Sequence, residues 1–111
     1  CGYIGLHDDE VAALWSAFIS YSHYDGVREW DYPDSDKTAA QTRLQRIAGR
    51  PSFIIDESNS LGKTRTYIES TGIDAPFTYY ALPFRNHNDA WALRDIPARH
   101  DVRNWLKKRL E

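Results

Sequence analysis

The stretch WSAFISYSHYDG, residues 15–26, decides how the rest of the chain is read. Taken with what precedes it, it continues a helical stripe. Val11, Leu14, Trp15, Phe18 and Ile19 stand at i, i+3, i+4, i+7 and i+8, which places them on one face of an amphipathic helix over residues 8–23. Asp8 or Asp9 would cap that helix, Asp9 and Glu10 suit the positive end of its dipole, and Asp25-Gly26 would stop it.

Working outward, VREWDYPDSDK reads as a loop ending in a new N-cap, and a second helix is predicted over residues 36–48. Ala40, Leu44, Ile47 and Ala48 form its apolar face, with Arg43 and Arg46 on the others, and Gly49 and Pro51 close it. The period then changes. Ser52 to Asp56 is β-prone, ESNSLGK is turn-like with Gly62 at positive φ, and Thr64 to Ser70 alternates, so the two runs read as a hairpin. FTYYALPF, residues 77–84, reads as a strand covered on both faces, and a fourth strand is expected around Ala90 to Arg94. Val102, Trp105, Leu106 and Leu110 define a closing helix over residues 101–110. The expected fold is α+β: two N-terminal helices and one C-terminal helix packed on one face of an antiparallel sheet of three or four strands, as a single domain over residues 1–111. Its core would be Trp15, Phe18, Leu44, Ile47, Phe53, Ile55, Ile68, Tyr80, Leu82, Trp105 and Leu106.

FISYSHYD, residues 18–25, also resembles the first box of Toll/interleukin-1-receptor domains. The resemblance covers about eight residues and implies a first strand leading into a nucleotide-binding loop, within a doubly wound parallel sheet. Some members of that family cleave NAD with a Glu on a helix after a later strand. The helical stripe implies otherwise, because it includes residues ahead of any such strand. Fewer than 30 residues separate Tyr24 from Phe53, too few for the helices and strands a full parallel order needs there. On the antiparallel reading Glu57 falls in a turn and Glu69 on a strand.

Composition narrows the classes. A 111-residue chain with 41% hydrophobic residues and four Trp can bury a core without disulfide staples. No apolar run approaches the length of a membrane span. Cys1 is the only cysteine, so no intrachain disulfide or multi-cysteine zinc site can form, which fits a cytoplasmic setting. A lipid anchor through Cys1-Gly2 is the alternative. Residues 1–60 carry ten acids against five bases, and residues 61–111 six acids against nine bases. The second half could therefore face something anionic.

Candidate chemistry is sparse. NSLGKT ends like a phosphate-binding loop, but position 57 is Glu where that motif needs Gly. Glu29, Asp31, Asp34 and Asp36 lack the spacing of a calcium loop, and the four His lack zinc spacing, so neither metal nor cofactor is expected. The candidate ligand contacts are Arg65, Tyr67 and Glu69 on the expected hairpin, joined by Arg85, His87 and Asp89 from the RNHND loop. These point to a binding or interaction module for a small molecule or a protein. The alternative is a small enzyme acting on a nucleotide or phosphodiester, with His87 as base and Arg65 or Arg85 holding an anion. Trp30 and Tyr32 would serve a protein partner or a homodimer. Arg99, Arg103, Lys107, Lys108 and Arg109 could meet nucleic acid, although a pI near 6.1 weighs against it.

Overall fold

A computed structural model describes residues 1–83 and 90–111. In it the opening stretch holds a strand, Phe18–Tyr21, and not the second half of a helix. Asp8 does cap a helix, accepting from the Val11 amide at 2.8 Å, but α2 (Asp9–Ala12), like α1 (Gly2–Gly5) before it, lasts about one turn. Leu14 and Trp15 are left 75% and 48% exposed, and the chain enters β1 (Phe18–Tyr21). Arg50 fixes this entry. Its guanidinium donates to the carbonyl of Trp15 at 2.7 Å and to that of Ala12, tying the approach to β1 to the end of α3 (Lys37–Gln45).

β2 (Ser52–Glu57) pairs in parallel with β1, Phe18 opposite Ser52, and β3 (Phe77–Leu82) pairs in parallel with β2, Ser52 opposite Phe77. The order is β1-β2-β3. The antiparallel sheet expected from sequence is thus incorrect. Two parallel strands cannot be joined by a tight turn, and each connection here is a helical crossover, α3 between β1 and β2 and α4 (Ser58–Thr71) between β2 and β3. Both crossovers advance in the same direction across the sheet, so a common right hand places α3 and α4 on the same face.

On that face Phe18 and Ile54 pack with Leu6, Tyr24, Leu44, Ile47 and Ile68. Phe53, Ile55 and Leu82 point the other way, where α5 (Ala90–Leu93) and α6 (Pro97–Leu110) bring Trp91, Ala98, Val102 and Trp105 over them. The Phe53 and Trp105 rings meet edge-on at 5.4 Å. Helices therefore cover both faces rather than one. β2, in the middle, is almost wholly buried, whereas β3 at the rim is mostly half-buried.

Three further expectations change. The Thr64–Ser70 run belongs to α4, whose buried side is carried by Thr64 and Ile68 with Leu61 packed beside them. Thr64, 0% exposed, hides the stripe because it is not apolar. The expected fourth strand is α5. Gly62 sits inside α4, not in a turn. Of the expected core, Trp15 and Leu106 are exposed, and Leu6 and Ile54, which were not expected there, are fully buried. α3 starts after Asp36, whose side chain accepts from the Ala39 amide at 3.0 Å, and α6 ends at Leu110, both close to expectation. Among the described residues no helix is long and apolar enough to cross a membrane.

Candidate functional site

A parallel sheet gathers the carboxyl ends of its strands on one side, and in open sheets of this kind ligands lie in the crevice beyond those ends. β1 ends at Tyr21, and the next residue, Ser22, has φ of 77°. The left-handed region costs a residue with a Cβ about 1–2 kcal/mol. Ser22 is held there by its amide, which donates to the Ile55 carbonyl at 2.9 Å, and its hydroxyl lies 3.3 Å from His23 Nδ1.

Ser22, His23, Val27 and Arg28, from the loop after β1, face Glu57, Ser60 and Lys63, from the end of β2 and the start of α4. Together they enclose a cleft of about 130 Å³. The His23 ring lies 5.6 Å from that of Trp30 at 33°. Glu57 caps α4 without a side-chain hydrogen bond to the helix amides, so the first turn directs amide hydrogens and the positive dipole end toward this side.

The loop is anchored from beneath. Tyr24 is 3% exposed, its amide donates to Thr64 Oγ1 at 3.4 Å, and burial, followed by the nearby Asp25 charge, pushes its phenol well above the ordinary tyrosine range. Asp25 accepts two hydrogen bonds from Arg43, at 2.7 Å from Nε and 3.0 Å from Nη2. Arg43 is 4% exposed and its guanidinium lies 4.7 Å from the Tyr3 ring centre. Gly26 has φ of 95°, and a Cβ there would fall 2.2 Å from the Tyr67 hydroxyl, so no other residue fits. The letters after FISY thus build one wall of the cleft: Ser22 and His23 line it, and Tyr24, Asp25 and Gly26 fix it.

A larger open groove of about 470 Å³ adjoins this cleft and shares Val27 and Lys63 with it. Gly26, Lys37, Gly62, Thr66, Tyr67 and Ser70 complete its lining. Arg28 and Lys63 in the cleft and Lys37 in the groove give the region cationic donors suited to an anion. Glu57 is the acid among the cleft residues. No group of three or more potential metal ligands occurs among the described residues.

The residues singled out from sequence divide. Arg65 and Glu69, one helical turn apart on α4, bind each other at 2.9 Å with both side chains about 60% exposed. The Arg65 guanidinium also lies 5.3 Å from the Tyr79 ring centre. Tyr67 points elsewhere and lines the groove. Arg85, His87 and Asp89 lie outside the described residues. Trp30 and Tyr32 are each 47% exposed. The bases of α6 belong to the helix covering the opposite face of the sheet, and none lines the cleft or groove.

Sequence reasoning missed Ser22, His23, Arg28 and Lys63 as a group. The signals for them were the SHYDG run after the strand-like box, which holds Ser22 and His23, and the NSLGKT run, which holds Lys63. Comparison of the chain with known protein families, with curated proteins and with solved structures finds no match.

Proposed function

We propose that the protein is a small binding module for a phosphate-bearing small molecule, held at the carboxyl end of its parallel sheet. One observation carries this reading: Arg28, Lys63, His23 and Ser22 converge on a single cleft beside the start of α4. The strained Ser22 within it adds support, because such conformations concentrate where a site requires them. The cleft volume suits a phosphate or diphosphate group rather than a whole nucleotide. Titration calorimetry with pyrophosphate tests the reading. Binding is expected, and Lys63→Ala or Arg28→Ala should each weaken it by about 1.5–3 kcal/mol, the worth of a charge-assisted hydrogen bond. Absence of binding by the unmodified chain would overturn the proposal.

A second reading, hydrolysis of NAD, is favoured by Glu57, which lines the same cleft and caps the helix after a later strand. The resemblance of FISYSHYD to Toll/interleukin-1-receptor domains implies a Glu on a helix after a later strand, and Glu57 ends β2 one position ahead of such a helix. The reaction breaks the bond between nicotinamide and ribose, and water supplies the hydroxyl left on the ribose. Nicotinamide release from NAD, lost in Glu57→Gln, is the expected result. No release from the unmodified chain would remove this reading and leave the binding reading standing.

A further inference from the structure

We propose that the groove beside the cleft is a second subsite of the same ligand. The ligand is therefore a diphosphate ester whose organic group lies across Gly62, not an inorganic anion. This rests on the phosphate reading of the cleft and adds what that reading lacks, the part of the ligand that gives it identity.

The argument begins with Gly62. It is the fifth residue of α4, inside the helix, where glycine costs about 1 kcal/mol relative to alanine. The other constrained glycines have local reasons: a Cβ on Gly26 would collide with Tyr67, and one on Gly2 would fall 2.7 Å from the Asp25 Cβ. Gly62 has none. Nothing lies within 4 Å of where its Cβ would stand, and its φ is not in the left-handed region. What a side chain at Gly62 would enter is the groove. The groove follows α4 from Gly62 to Ser70 and shares Lys63 and Val27 with the cleft, so a bulky side chain at Gly62 would take up part of it. Lys63 thus stands where a phosphate in the cleft would continue into the rest of the molecule. Lys37 supplies a second cation along the groove, and Tyr67 contributes an aromatic surface. A bare anion would use the cleft alone and leave the groove, with its glycine, unexplained.

The test compares pyrophosphate with three of its esters, ADP, UDP-glucose and isopentenyl diphosphate, by calorimetry on the full chain. These carry adenosine, uridine together with glucose, and an alkenyl group respectively. At least one ester should bind about tenfold or more tighter than pyrophosphate, a difference of about 1.4 kcal/mol. Gly62→Leu, which fills the groove, should collapse that ratio toward one. Arg28→Ala, which alters only the cleft, should weaken all four ligands and preserve the ratio. The inference is overturned if no ester exceeds pyrophosphate, or if Gly62→Leu leaves the ratio intact. Failure of pyrophosphate to bind the unmodified chain overturns the cleft reading itself, a result distinct from pyrophosphate and its esters binding equally.

Discussion

Arg43 shows how much a single side chain can carry. Its position in the helical period put it off the apolar face, yet it is buried against Asp25, because a guanidinium can be accommodated inside when both its fork and the facing carboxylate are satisfied. Removing one partner strands the other charge. Arg43→Ala should therefore cost about 3–5 kcal/mol in urea denaturation. The double variant Arg43→Met/Asp25→Asn should lose clearly less than the losses of Arg43→Met and Asp25→Asn added together, and strict additivity would show that the pair is not coupled. Tyr24 behaves oppositely. Its hydroxyl is buried without a hydrogen-bond partner among the described residues, so Tyr24→Phe should be neutral or stabilising by about 1 kcal/mol. The same residue sets an alkaline limit. The folded chain keeps the phenol protonated above the ordinary value of 10.0, so the folded state binds the extra proton and stability is complete below that pH. It then falls as the pH rises further, as the unfolded chain ionises first, and burial of Tyr67, Tyr79 and Tyr80 acts in the same direction. A pH series of unfolding midpoints should fall less steeply above pH 10 in Tyr24→Phe than in the unmodified chain.

The elements divide by what determines them. α3 and α6 were legible because local chemistry specifies them: the Asp36 cap and Gly49 at φ of 72° bracket the first, and a stripe through Val102 and Trp105 marks the second. β1 and α4 were not, because packing decides them. β1 is only four residues long and opens with two adjacent apolar residues, because both its faces are covered, and Phe18 and Ile19 happened to extend a helical stripe from Val11. α4 is spelled SNSLGKTRTYIEST, with few strong helix formers, and its buried face includes a threonine. That misreading moved the candidate site as well. As a strand, residues 65, 67 and 69 share a face; as a helix, Arg65 and Glu69 pair with each other and Tyr67 turns to the groove. The propensity argument gives a test of its own. Gly62→Ala should raise stability by about 0.5–1 kcal/mol in chemical denaturation, since it removes chain entropy without meeting any neighbour. A loss of stability would mean the glycine is needed by the fold itself.

Across the whole molecule, the parallel order brings together residues that the sequence keeps in differently charged halves. Ser22, His23 and Arg28 come from the acidic half and Lys63 from the basic one. At a net charge of −2 the chain as a whole offers little attraction to anions, so attraction at the cleft is local. Pyrophosphate affinity should fall steadily as salt rises from about 0.01 M to 0.1 M, over which the screening length shrinks from about 30 Å to about 10 Å. An affinity indifferent to salt would argue against Arg28 and Lys63 as its source. The anchored loop, finally, sets how a ligand arrives. Its middle is pinned by a buried ion pair and by a glycine pressed against Tyr67, so this wall of the cleft cannot shift at Asp25 or Gly26 without breaking one of them. Capture should then be a single collision with a ready-formed wall, and the observed association rate should climb in proportion to ligand concentration with no plateau marking a slow opening step.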